Sequence, residues 1–190
     1  MSFLPIFHIL SILITPLSIA MLISSLVDYS FNNENWLNFF SSALITFFIG
    51  MSIFFATKGK ENQNIDLKQA FLLTTIAWLA IAMIGSLPLY FSTLNLTLTD
   101  AFFESMSGIT TTGSTILVNI EGSSPGILLW RSLLQWLGGI GIIVMAITLM
   151  PIMNVGGMQL FKISNNDSSE KILPKSKEIA LRLIYIYSGL

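Results

Sequence analysis

The chain contains no cysteine, a single histidine and few charges; only 10% of its 190 residues are Asp, Glu, Lys or Arg. Without cysteine there are no disulfides and no thiolate metal sites, and the redox compartment stays unassigned. No phosphate loop, HExxH or Cys/His metal pattern appears. A soluble domain of this length carries about a quarter charged residues, so the polar supply here is too small to coat a globule. Net charge is −1, which gives no argument for nucleic acid. Residues 1–26 have no basic n-region and no small-residue cleavage site, and they exceed the usual h-region length. They read as a retained membrane helix, not a cleaved signal.

What the chain has is apolar sequence in long runs: 53% hydrophobic residues and a mean hydropathy of +0.77. An integral membrane protein is the expected class. Residues 3–27 contain no Asp, Glu, Lys or Arg. At about 1.5 Å rise per residue they cross the roughly 30 Å hydrocarbon core with tilt to spare. Pro5 stands near the start of this span and Pro16 is expected to kink it. A polar turn, 28–35, leads to a second span at 36–57, with Trp36 as an interfacial anchor. After the charged loop 58–68 comes a third span, 69–91, containing Pro88. A polar link at 92–99 precedes a short helical segment, 100–109. Residues 122–126 form a turn containing Pro125, and a fourth span, 127–150, ends at Pro151. Gly156 and Gly157 end or bend that helix; 165–177 is a polar loop; 179–190 opens a fifth span.

Loop charges orient these spans. Lys58, Lys60, Lys68, Lys162, Lys171, Lys175 and Lys177 fall on one side, Asp28, Glu34 and Glu121 on the other. The positive-inside rule puts the lysine side and the N-terminus in the cytoplasm. The assignment holds only if residues 100–115 enter and leave on the same outer side. Charge therefore predicts a re-entrant loop.

Within that loop lies a charge-free run: Thr110, Thr111, Thr112, Gly113, Ser114 and Thr115. Polar backbone at membrane depth is costly unless it lines a cavity or binds something. Asp100 suits an N-cap or the first turn of the short helix, whose C-terminal dipole end would face the midplane and favour a cation. Gly113 allows positive φ or close backbone approach. Carbonyls that replace hydration water are the physical basis of potassium filters. The alternative from spacing alone is a Thr-rich outer loop that caps two helices.

Residues 102–115 (FFESMSGITTTGST) resemble the first pore loop of the Trk/Ktr/HKT potassium transporter family, most nearly its bacterial TrkH branch. Residues 129–141 (LWRSLLQWLGGIG) resemble the start of that family's following inner helix, and 151–161 also fit. The resemblance covers nearly the whole chain. It implies four concatenated helix–pore–helix repeats around one pore, each giving one filter strand. By position, Thr111, Thr112 and Gly113 match the residues whose carbonyls line the ion sites, flanked by Thr110 and Ser114. The fold expected is an all-α polytopic membrane protein. Two leading transmembrane helices (1–65) precede one helix–pore loop–helix repeat (66–163, re-entrant at 100–115) and the start of a second (164–190). With one complete repeat, the chain is expected to be a fragment supplying one of four filter strands. The resemblance implies potassium as the transported ion, no organic cofactor, and a bacterial inner-membrane location in contact with lipid. It also implies a homodimeric full-length protein and a cytoplasmic nucleotide-binding regulatory subunit of the TrkA type. The rival reading is a nonfunctional or accessory membrane fragment.

Arg131 lies only a few residues into the fourth span, where a charge needs a partner or the interface. It either braces the pore helix by pairing with Glu104 or Asp100, or snorkels outward. Gly138, Gly139 and Gly141 suit close packing, without a GxxxG spacing. His8 reads as a packed residue. An intramembrane serine protease would need a base beside its serine, and His8 is remote in sequence; no enzyme is expected.

Overall fold

The computed structural model describes residues 3–59 and 67–153, with backbone at 182, 185–187 and 189. The expectations for Lys60, Lys162, Lys171, Lys175 and Lys177, for Gly156 and Gly157, and for the loop 165–177 lie outside the described residues. So does most of the fifth span. Among the described residues six helices are delimited, in order: α1 (Leu4–Ser30), α2 (Asn35–Thr57), α3 (Leu67–Gly85), α4 (Leu87–Tyr90), α5 (Leu98–Ile109) and α6 (Pro125–Met153). Among the described residues four helices are long and apolar enough to cross a membrane, with α3 and α4 together making one of them. The molecule is an all-helical, polytopic membrane protein.

The chain divides into two compact units, Met1–Trp136 and Leu137–Leu190. The second holds the rest of α6, through Met153, and short helical backbone at 185–187. The first holds α1 to α5 and the opening of α6. Within it α1 and α2 run antiparallel. His8 Nδ1 meets Thr57 Oγ1 at 3.0 Å at one end, and Ser25 Oγ donates to the Trp36 carbonyl at 2.8 Å at the other. His8 is buried and stacks on Phe54, with ring centroids 5.1 Å apart. Leu10 and Ile14 of α1 pack with Ala77 of α3, flanked by Ile76, Ala80 and Ile84. This side-by-side burial needs no polar group, which suits helices whose other faces are apolar.

Several boundaries depart from expectation. The first span runs through Ser30, so Asp28 is not a loop charge; it stands in the last turn of α1 and is completely buried. Pro16 lies inside α1 and Pro5 in its first turn. The third span breaks at Ser86, between α3 and α4. Pro88 lacks the N–H that would bond the carbonyl four residues back. The neighbouring Gly85 carbonyl accepts from Trp130 Nε1 at 3.0 Å. The short helix starts at Leu98, earlier than expected, because Thr97 caps it. Helix α6 starts at Pro125, a favoured first position, and continues past Pro151 to Met153.

Candidate functional site

The stretch between α4 and α6 is a hairpin, with α5 as one limb and the Thr/Gly strand as the other. Thr97 and Asp100 make a reciprocal capping box: Asp100 N–H donates to Thr97 Oγ1 at 3.2 Å, and Thr97 N–H and Oγ1 donate to Asp100 Oδ2 at 3.3 and 2.6 Å. Asp100 is thus the third helical residue rather than the N-cap, and its carboxylate is committed locally. The helix packs at two glycines. A Cβ on Gly85 would come 2.5 Å from Ser105 Oγ, and one on Gly108 would come 3.1 Å from Leu134 Cβ. Only the missing side chains let α5 approach α3 and α6 so closely.

The helix ends in a left-handed cap. Thr111 N–H donates to the Gly108 carbonyl at 2.9 Å and Thr112 N–H to the Ser107 carbonyl at 3.0 Å, the paired bonds that close many helices. The capping residue is usually glycine, yet here Thr111 takes φ +57°. Such a conformation costs a β-branched residue roughly 1–2 kcal/mol. Gly113 also takes positive φ, at +78°, and its N–H reaches the Ser107 carbonyl at 3.4 Å. Three consecutive amides, those of Thr111, Thr112 and Gly113, are therefore turned toward the end of α5. In a trans peptide the carbonyl points opposite its N–H, and no peptide here is cis. The carbonyls of Thr110, Thr111 and Thr112 accordingly point away from α5.

Of the expected set Thr111, Thr112 and Gly113, the first two carry carbonyls that point away from α5, and Gly113 follows them with its positive φ. Thr110 supplies an outward carbonyl in addition to its flanking hydroxyl, which donates to the Met106 carbonyl and meets Thr112 Oγ1, both at 2.8 Å. Ser114, which flanks the set on the other side, has its carbonyl accept from Ser107 Oγ at 2.6 Å.

Glu104 holds the rising strand. Its Oε1 accepts from Thr115 Oγ1 at 2.6 Å and from Ile116 N–H at 2.7 Å. Its Oε2 lies 3.1 Å from Arg131 Nε. Glu104 is 1% exposed, and a buried carboxylate of this kind needs a charged partner and hydrogen bonds together. Of the two acids weighed for Arg131, the structure pairs it with Glu104 and leaves Asp100 in the helix cap. Because bonds run from Ser107 to Ser114 and from Glu104 to Thr115 and Ile116, the strand climbs back along α5 in the opposite direction.

Asn35, Thr93 and Ser124 were not singled out from the sequence, and Asp28 was read only as a loop charge. Asn35 is 2% exposed; its Nδ2 donates to Thr93 Oγ1 at 3.0 Å and to Ser124 Oγ at 3.4 Å, and its Oδ1 accepts from Thr93 N–H at 2.9 Å. Asp28 accepts from Ser124 Oγ at 3.0 Å and from Gly126 N–H at 2.7 Å. A carboxylate at the N-terminus of α6 meets its free amides and positive dipole end. The readable signal was an acid near the end of one helix and a Ser-Pro-Gly helix start; what joins them is tertiary.

Among the described residues no three His, Cys, Asp or Glu side chains gather to hold a metal ion. A cation at this site would meet carbonyl and hydroxyl oxygens. Fold and site together define a polytopic helical membrane protein with a hairpin of short helix and Thr/Gly strand set between spanning helices. Residues 36–190 match the TrkH family, described as cation transport protein, and the chain belongs to that family. It is 53% identical over 121 residues to the Trk system potassium uptake protein TrkI of Halomonas elongata, covering 64% of this chain and 25% of that protein. To the Trk system potassium uptake protein TrkH of Escherichia coli K12 it is 37% identical over 190 residues, covering 98% of this chain and 39% of the relative. The crystal structure of the potassium transporter TrkH from Vibrio parahaemolyticus superposes with a TM-score of 0.83 at 32% identity, covering 100% of this chain and 38% of that one. The chain thus spans well under half the length of the relatives it matches.

Proposed function

We propose that this chain forms part of a potassium-uptake pore in a bacterial inner membrane, and that the strand around Thr110, Thr111, Thr112 and Gly113 is one filter strand. The observation that carries the reading is the row of three amides tied to the end of α5, which leaves consecutive carbonyls facing the other way. Ion movement needs no covalent chemistry: potassium sheds water onto carbonyls, near the negative end of the α5 dipole. Helix α5 has 12 residues and so reaches about 18 Å, over half the roughly 30 Å core. The hairpin is re-entrant on this reading, because Asn35 bonds both Thr93 before it and Ser124 after it. Lys58 and Lys68 border the opposite end of the bundle, beside Thr57 and at the start of α3, which supports a cytoplasmic N-terminus by the positive-inside rule. The relatives are named as parts of a Trk system; further pore repeats, a regulatory subunit of the TrkA type and dimerisation are part of the proposal.

The test is a chimera in which this chain replaces the matching leading segment of the Escherichia coli relative, expressed in cells lacking potassium uptake. Growth at low potassium is expected to return, and Gly113→Ser is expected to lower potassium uptake or its preference over sodium. A chimera present in the membrane without uptake, or a Gly113→Ser variant with unchanged K⁺ and Na⁺ fluxes, would count against the filter assignment.

A further inference from the structure

The two leading helices precede the Thr/Gly strand by many residues, yet they hold both feet of its hairpin. Asn35, at the start of α2, bonds Thr93 just before α5 and Ser124 just before α6. Asp28, at the end of α1, bonds Ser124 and the Gly126 amide. The contact leaves no slack, since a Cβ on Gly126 would fall 2.4 Å from the Asp28 carboxylate. Asp28, Asn35 and Ser124 are all buried, so each broken bond strands a polar atom away from water.

The clasp is physically continuous with the strand. It fixes the start of α6; α6 carries Arg131; Arg131 holds Glu104; and Glu104 holds Thr115 and Ile116. From the other foot, Thr93 leads through the capped start of α5 to the carbonyls of Ser107 and Gly108 that orient the strand amides. We infer that Asp28, Asn35 and Ser124 are positioning residues for ion discrimination: the turn between the two leading helices sets the spacing of the hairpin's feet, and through it the placement of the strand carbonyls. The inference rests on the proposed filter reading.

The experiment measures the Na⁺-to-K⁺ uptake ratio of the chimera, which is independent of how much protein reaches the membrane. Asn35→Ala and Ser124→Ala are each expected to raise that ratio about fivefold, the equivalent of one buried hydrogen bond. Ser124→Thr keeps the hydroxyl and is expected to restore the parent ratio, which a packing role alone would not require. Thr93→Ala removes a single partner and serves where Asn35→Ala fails to accumulate; it is expected to raise the ratio in the same direction. Unchanged ratios in Thr93→Ala and Ser124→Ala, beside an altered ratio in Gly113→Ser, would overturn the clasp and leave the filter reading standing. Unchanged ratios in all three would overturn both.

Discussion

The two limbs of the hairpin are held by opposite means. Helix α5 is fixed by burial: Ala101, Glu104, Ser105, Gly108 and Ile109 all face the protein, and glycines at 85 and 108 set the approach distance. The strand beside it is exposed from Thr111 to Ile116 and is held through its amides and through Glu104. The difference teaches that the strand's conformation is borrowed. The helix end supplies carbonyls to the amides of Thr111, Thr112 and Gly113, which turns the carbonyls of those peptides away from it, and Ser107 Oγ ties down the Ser114 carbonyl further along. Polar backbone can be displayed in this way only where a buried partner orders it.

The comparison breaks most severely at Glu104, which serves both limbs. Glu104→Ala is expected to destabilise the chain by about 3–5 kcal/mol, since Arg131 loses its partner inside the fold; a thermal unfolding midpoint near that of the parent in detergent would refute the brace. Gly108→Val is a second large change, confined to the helix limb. Its branched side chain meets Leu134, at a cost of about 1–3 kcal/mol, read by the same unfolding measurement. Thr111→Gly sharpens the contrast because its sign is reversed. Relieving the positive φ is expected to stabilise the cap by about 1 kcal/mol, so a lower midpoint would show that the threonine side chain supports the fold. The smallest effect is expected at the exposed start of α5, where Thr97→Ala removes the capping box for about 1 kcal/mol, read as a slightly lower unfolding midpoint.

The spans were legible because each is a long apolar run without charge, and membrane thickness sets their length. The hairpin was legible as a short helical segment and a polar Thr/Gly run lying between two apolar spans. Its details were not. Asp28 read as a loop charge because an acid at a helix C-terminus opposes the dipole, and the start of α6 that compensates it lies far along the chain. Asn35 read as part of a turn for the same reason: Thr93 and Ser124 come beside it only in three dimensions. Positive φ was expected at Gly113 and also occurs at Thr111, a β-branched residue that propensity alone would not place there. The start of α5 was misplaced because Asp100 attracts the eye as a cap, whereas Thr97 and Asp100 share the work.

The ion pair between Arg131 and Glu104 has one more consequence. Its two charges cancel, so the pair adds no net charge to the wall behind the strand, and the Asp100 carboxylate is engaged at the far end of α5. On the proposed reading this strand would draw a cation by peptide dipoles alone. Dipolar attraction fades faster with distance than that of a bare charge, and it is little affected by salt, which screens exposed charges over about 8 Å at physiological ionic strength. This quarter of the mouth would then do little to gather ions from afar, and changes in bulk salt would barely alter its hold on an ion already at the threshold.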